Sequence, residues 1–302
     1  AASGSDTSLA RAADALRDDP WTNTVEAWEG AIVADADADG LSLRDWAANL
    51  LGGRNLAVGG GVGALVLRRL APEAGPVALR TPATGIDWSG RGVRVETPRG
   101  GLAAPACIVT VSTGVLAAGA IRFDPALPQA TAAAIEGLPM GLLSKIALPA
   151  SGSDRLDLPR GTGSDRMLAR PGETLLSLHA WPQGFDHVVG FFGGRAAWAL
   201  AAEPPDATEA FVRAELRRRF GARADAALGG PAVVTRWGTD PFSRGAYAYA
   251  RPGQAGARAV LGRPLAGGRL CFAGEACHTE GLAGTVGGAW LTGTAAADAV
   301  CG

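Results

Sequence analysis

The sequence predicts a mixed α/β protein with a second, α+β region. Three observations predict it. Helical periodicity recurs over residues 7–18, 23–34, 41–51, 62–71, 128–137 and 206–220. Strand-like runs bounded by Gly and Pro fall at 77–80, 92–97, 106–111, 142–149, 174–179, 187–192, 231–237 and 269–273. The two kinds of segment mix without a clean strand–helix–strand alternation through the middle, which argues against one doubly wound sheet. No solenoid-type period repeats along the chain.

Composition narrows the function classes. Hydrophobic residues make up 47 % of the 302 positions, and no apolar run approaches the roughly 20 residues of a membrane span. The formal net charge is −1, and acidic residues are interspersed with the arginines. That pattern excludes nucleic acid or an anionic membrane surface as the main partner. Cys107, Cys271, Cys277 and Cys301 form no C-x-x-C pair and read as free thiols. Cys271, Cys277 and His278 are too irregularly spaced for a metal centre, and no metal is expected. Composition leaves cytoplasm and periplasm equally open.

The elements follow in order. The opening "AASGSDTSLARAADALRDD" lacks a basic stretch with an apolar core, so it does not read as a secretory signal. It reads as a lead-in and then a helix capped by Asp6 or Ser8. Residues 150–172 read as an exposed excursion, being rich in Gly, Pro, Ser and Asp. The stretch "NLAVGGGVGALVLRRL", from Asn55 to Leu70, places Gly59, Gly61 and Ala64 in G-x-G-x-x-A spacing. A dinucleotide fingerprint needs a firm strand before it and an acidic residue about 20 positions later. Here the preceding run is only "LAV", and the next strand-like run ends in Arg80. Two readings stand at this point: an NADP site with Arg80 on the 2′-phosphate, or a helix entry whose glycines permit close backbone approach.

The C-terminus is more informative. A buried-type strand, Leu270 to Ala273, runs into Gly274 and Glu275. After a loop, Gly284, Thr285 and Val286 open a small-residue helix that extends to about Ala299. A helix N-terminus presents unpaired N–H groups and partial positive charge, which suit an anionic cofactor edge.

"FAGEA" followed after a short loop by "GTVGGAWLTG" resembles the closing FAD motif of the flavin-dependent amine oxidase family. Three further stretches are similar to that family, in the same order. They are "AVGGGVGALVLRRLA", "IVTVSTGVLAAGAIRFDPALPQATAAAIEGLPMGLLSKIAL" and "WGTDPFSRGAYAYARPG", with Ser112 standing where the family has proline. The resemblance runs from about Ser42 to the end of the sequence. It implies that the glycine stretch is the family's mid-chain helix entry and not its dinucleotide fingerprint. The implied fold is an FAD-binding Rossmann-like domain with a substrate domain of mixed sheet and helices. The implied division is 1–53 (helical part of the substrate domain), 54–118 (middle FAD segment), 119–263 (substrate domain) and 264–302 (final FAD segment).

The family's G-x-G-x-x-G unit, which binds the ADP half of FAD, lies upstream of everything matched here. The resemblance therefore implies a separate N-terminal chain or fragment as partner. It would arise by proteolytic processing or as a two-subunit, hetero-oligomeric design; the alternative, which needs no partner, is that the sequence is a shortened piece of a longer chain.

The resemblance also assigns residues. Lys145, in "LLSKIAL", matches the lysine that reaches through a water towards flavin N5 and helps oxygen react with reduced flavin. It is the only lysine among 28 basic side chains, and its neighbours are apolar, so a buried ammonium is expected. Tyr247 matches one of two aromatic rings that flank the substrate nitrogen. Alternation on an extended segment would place Tyr249 on the same face. The second ring's position is occupied by Leu282, so Trp290, Trp237 or Trp181 would have to supply an aromatic. Gly274 and Glu275 match the ribityl–pyrophosphate region. Gly284, Thr285 and Val286 match the backbone donors near N1 and O2. Ala83 and Val111 match adenine-side backbone contacts, and Trp237 belongs with the cofactor-binding positions. Ala246 stands where family members that attach FAD covalently have cysteine, so FAD is expected to be non-covalent. His179 and Trp181 are candidate substrate-pocket residues.

The implied reaction oxidises a C–N bond of an amine or amino acid to an imine and reduces dioxygen to hydrogen peroxide. Two alternatives stay open: a non-catalytic subunit with the FAD fold, and a desaturase acting on C–C bonds, since Leu282 breaks the aromatic cage.

Overall fold

The computed structural model describes residues 5–50, 52 and 58–302. Leu56 and Ala57 of the "LAV" run before the glycines, and the boundary between 53 and 54, lie outside the described residues. Eleven strands are described: β1 Gly85–Asp87, β2 Val93–Thr97, β3 Gly100–Ala104, β4 Cys107–Val109, β5 Arg122–Asp124, β6 Leu143–Pro149, β7 Thr162–Ser164, β8 Ser177–Ala180, β9 His187–Gly193, β10 Val233–Val234 and β11 Leu270–Phe272. They form three sheets, ordered β3-β2-β1-β5, β10-β6-β9-β8-β7 and β11-β4.

The five-stranded sheet is antiparallel and is built on the β6–β9 pair, registered from Leu143 opposite Gly193 to Pro149 opposite His187. Its pattern explains itself by period two. Ser144, Ile146 and Leu148 are buried, while Lys145 between them is exposed. The buried face packs with Val188 and Phe192 against helices Gly194–Ala201 and Ala207–Phe220. The second helix contributes Val212 and Leu216, one helical turn apart.

The small sheet brings distant parts of the sequence together. β4 and β11 run parallel with Leu270 opposite Cys107, and helix Val286–Cys301 follows this unit after a short turn and loop. All three residues of β11 are buried, as expected of a parallel strand covered on both faces.

Several expectations need correcting. Residues 77–80 form no strand, and Val77 and Leu79 are 71 % and 73 % exposed without a ladder partner among the described residues. The strand forms instead at β1, where Ile86 is buried between β2 and β5. The 231–237 run shortens to β10 because it lies at the sheet edge, with Val233 70 % exposed. Residues 150–172 are not simply an excursion: β7 extends the sheet there, and Leu156 and Leu168 are buried. The first helix is capped by Ser8, whose hydroxyl accepts from the Arg11 amide. Asp6 instead accepts from the Ser42 hydroxyl and the Gly253 amide.

The predicted 23–34 helix is α-helical over Thr22–Ala27 and widens into a π-helical stretch, Trp28–Val33. Such a widened turn is a local departure that often accompanies functional sites. It ends at Val33, and just beyond its cap Ala34 comes Asp35, a non-glycine residue at φ 50°.

Candidate active site

Lys145 projects from the open face of β6. Its cross-strand partner Phe191 lies on β9, and the ammonium sits 5.5 Å from that ring's centroid. Its backbone is held by Thr235, whose hydroxyl accepts from the Lys145 amide at 2.9 Å. The expectation of a buried ammonium is corrected: Lys145 is exposed, because β6 alternation turns its buried neighbours inward and the lysine outward.

That open face belongs to a cavity of about 520 Å³. Lys145, Tyr247, Tyr249, Gly284 and Thr285 all line it, so residues more than a hundred positions apart meet at one cleft. Tyr247 and Tyr249 share the cleft, as the extended reading expects. The Tyr247 hydroxyl donates to the Val33 carbonyl at 2.9 Å, which fixes the ring against the π-helical stretch. Burial pushes its phenol well above the usual range, with Asp35 and Glu275 adding like-charge repulsion.

The segment that carries Tyr247 is held by buried acids. The Tyr247 amide donates to Asp35 Oδ2 at 2.9 Å, the Ala248 amide to Glu275 Oε1 at 2.8 Å, and the Ala250 amide to Asp45 Oδ2 at 3.3 Å. Arg258 binds Asp45 through Nε and a terminal nitrogen at 2.7 and 2.8 Å, with its other terminal nitrogen 4.0 Å from Glu275 Oε2. Glu275 Oε2 also accepts from the Gly284 amide at 2.9 Å. Glu275 thus spends both oxygens on backbone and joins the Tyr247 segment to the helix entry. Burial raises its carboxyl above the ordinary value, opposed by those two amides and Arg258.

Thr285 caps the terminal helix: its hydroxyl accepts from the Gly288 amide at 3.0 Å and donates to the Leu282 carbonyl at 2.6 Å. The amides of Val286 and Gly287 have no partner among the described residues. A second cavity, of about 260 Å³, is lined by Val111, Gly274, Glu275 and Ala246, so the Ala246–Tyr247 step separates it from the first. Gly274 adopts φ 135°, and a side-chain carbon there would meet nothing within 4 Å. Open glycine backbone at Gly274, together with the two unpartnered first-turn amides of the terminal helix, fits a large, flat, anionic cofactor. Ser112 has a local reason to replace proline. Its hydroxyl caps the helix at Thr113–Ala117 and reaches the Ser243 carbonyl at 2.6 Å, pinning the "WGTDPFS" stretch.

Other expected site residues lie elsewhere. Trp181 is fully buried in the core, its indole N–H on the Leu158 carbonyl and its ring under Arg155 at 4.9 Å. His179 pairs with Gly163 and Val189 within the sheet and lines neither cavity. Trp290 is 56 % exposed on the terminal helix and lines neither cavity. Trp237 is half exposed in a separate surface cleft with Phe242. Leu282 lies just outside the first cavity, and Ala83 packs at the core near β1. The aromatics that line the first cavity with Tyr247 and Tyr249 are instead Trp28 and Trp46; Glu29 lines it too and accepts from the Trp46 indole at 3.2 Å. The widened π turn brings Trp28 and Glu29 there, and helical periodicity gives no sign of it.

Residues 2–301 match the family described as flavin containing amine oxidoreductase. The chain is 32 % identical over 286 residues to polyamine oxidase 4 of Oryza sativa subsp. japonica, covering 91 % of this chain and 54 % of that protein. It is 30 % identical over 248 residues to lysine-specific histone demethylase 1 homolog 2 of Arabidopsis thaliana, covering 80 % of this chain and 33 % of that protein. The chain thus spans about half or less of the length of these curated relatives. In fold it is similar to putrescine oxidase bound to putrescine, at TM-score 0.80 and 20 % identity, over 99 % of this chain and 68 % of that one. Cyclohexylamine oxidase from Brevibacterium oxydans is similar at TM-score 0.73 and 23 % identity, over 98 % of this chain and 67 % of that one. The chain belongs to the flavin-containing amine oxidoreductase family.

Proposed function

We propose that these residues form the substrate-facing part of an FAD-dependent oxidase acting on the C–N bond of an amine, with non-covalent FAD. The carrying observation is that Lys145, Tyr247 and the Thr285 helix entry line one cavity. The first-turn amides of Val286 and Gly287 would hold the cofactor's electron-rich edge, and Gly274 would admit its chain. Bound flavin would accept a hydride equivalent from the carbon beside the substrate nitrogen and return the electrons to dioxygen as hydrogen peroxide.

The chain's own residues do the rest. Tyr247, Trp28 and Trp46 offer apolar walls that favour an amine nitrogen through packing and weak cation–π attraction. Lys145 places a positive charge where electron-rich species form, a preorganised stabilisation. Glu29 supplies a carboxylate in the same cavity, which fits an amine with a second cationic centre. That agrees with the polyamine and putrescine oxidases among the similar proteins. The remaining ADP-binding unit is assigned to polypeptide beyond these residues, in the same chain or a partner.

The test is anaerobic mixing of the complete holoenzyme with a diamine, a monoamine and an L-amino acid, following loss of flavin absorbance. The diamine should bleach the flavin fastest, and admitted air should restore the colour with peroxide formation. Colour unchanged by every amine would reject the oxidase reading. Bleaching by the amino acid alone would reject the role of Glu29.

A further inference from the structure

The three carboxylates around the Tyr247 segment are not equivalent. Asp45 and Glu275 share Arg258, directly for the first and at 4.0 Å for the second. Asp35 forms no ion pair among the described residues. Its Oδ2 takes the Tyr247 amide, while Oδ1 is buried without a hydrogen-bond partner. The carboxyl lies directly on the Gly141 backbone: a carbon added there would fall 1.9 Å from Oδ1. The Asp35 carbonyl accepts from the Leu142 amide at 2.9 Å, immediately before β6 and Lys145. Asp35 therefore fixes the lysine strand with its backbone and the tyrosine with its side chain.

An anion in this position would be fully desolvated with one hydrogen bond and no cation in contact, the costliest way to bury a carboxylate. We propose that Asp35 is an uncharged, proton-bearing positioning residue that sets Tyr247 against the wall of the cleft in register with Lys145. The charged and titratable groups facing it are Glu275 and Arg258, and the phenols of Tyr247 and Tyr249. Asp37, on its own segment, is engaged by Arg195 at 3.5 Å. Burial is the largest influence and holds the Asp35 carboxyl well above the ordinary range; Glu275 adds to it, and the Tyr247 amide and Arg258 oppose it.

A carboxyl raised in the folded state contributes stability that is fully present below its unfolded value and is lost as pH rises through the folded value. Asp35→Asn removes that loss while keeping shape, the acceptor for the Tyr247 amide, and tolerance of φ near 50°. In thermal melts of the complete holoenzyme between about pH 5 and about pH 9, the variant should gain on wild type as pH rises. The limiting slope is about tenfold in the folding equilibrium per pH unit. A flat difference, or a variant that falls further behind with rising pH, would show Asp35 ionised and overturn the proposal.

The positioning role rests on the amine oxidase reading and is tested separately by amine-driven flavin reduction. Asp35→Asn should stay within about threefold of wild type, whereas Asp35→Ala should slow reduction by about tenfold, through loss of the Tyr247 anchor. Equal losses in both variants would overturn it. Should Asp35→Ala fail to fold, the asparagine variant decides alone, and a loss of tenfold or more in it overturns the positioning role. Failure of the amine oxidase reading itself would leave wild type unreduced, while the melts would still report on Asp35.

Discussion

Lys145 acquires its place from two features legible in the sequence: β alternation in an apolar run, and its standing as the only lysine. A flexible ammonium on the open face of β6 can reach into the cleft without displacing core atoms, which a branched guanidinium would do less easily. Lys145→Met should preserve folding, since the side chain projects from the exposed face and replacement removes no core contact. If the ammonium acts beside the flavin, reoxidation by oxygen should slow by about 100-fold, and stopped-flow separation of the two half-reactions would show it. Both rates unchanged would make Lys145 a bystander. Trp28, Glu29 and Trp46 were not legible in the same way. Their convergence depends on the π-helical stretch Trp28–Val33 and on tertiary contact, neither of which leaves a mark in the apolar spacing. Trp181 misled for the opposite reason: an aromatic beside a sheet is as often core as pocket, and this one closes the core under Arg155.

The elements that position the cleft are joined by a few polar knots. Asp45 belongs to helix Leu43–Ala48, Arg258 to helix Ala257–Leu261, and both side chains are nearly inaccessible. Asp45→Ala would leave Arg258 buried with Glu275 as its nearest carboxylate and only the Ala248 and Ala276 carbonyls in hydrogen-bond contact, and a destabilisation of about 3–5 kcal/mol is expected. The double change Asp45→Leu with Arg258→Met should recover much of it, because the cost lies in the orphaned charge. Chemical denaturation of the single and double variants measures the difference, and equal losses would refute the account. The terminal helix offers a milder test. Thr285→Ala removes the cap on a 16-residue helix and should cost about 1 kcal/mol. It should also weaken flavin retention, since the capped turn presents the Val286 and Gly287 amides. Equilibrium dialysis of the cofactor would read that effect. The helix was legible from its Gly-Thr-Val entry and small-residue run. The knots were not, because the sequence distances between Asp35, Asp45, Tyr247 and Arg258 carry no periodic signal.

At the scale of the whole molecule, the parallel β4–β11 pair joins mid-chain to C-terminus as two strands among the described residues, and the 62–79 segment leaves Leu67, Val77 and Leu79 largely exposed. Cofactor attachment can be predicted at this scale from the distribution of sulfur. Ala246 faces the second cavity, and the cysteine that shares it, Cys277, is buried with its thiol pushed up to about 12. A protonated thiol is a poor nucleophile, so no covalent link to flavin is expected. Acid precipitation of the holoenzyme should leave the yellow colour in the supernatant; colour retained by the pellet would contradict this. Assembly is the remaining consequence. The two parallel strands described, with an exposed apolar segment, leave room for further strands in a Rossmann-like sheet, which is covered on both faces. On the proposed reading, polypeptide bearing an ADP-binding strand, glycine turn and helix would complete that sheet through a large apolar interface. The 302 residues expressed alone should accordingly bind hydrophobic dyes and associate, while co-expression with that unit should give a discrete species that retains flavin. Sedimentation velocity on both preparations decides the matter. A monodisperse monomer from the 302 residues alone, unfolding in one cooperative transition, would mean that the exposed 62–79 segment needs no cover.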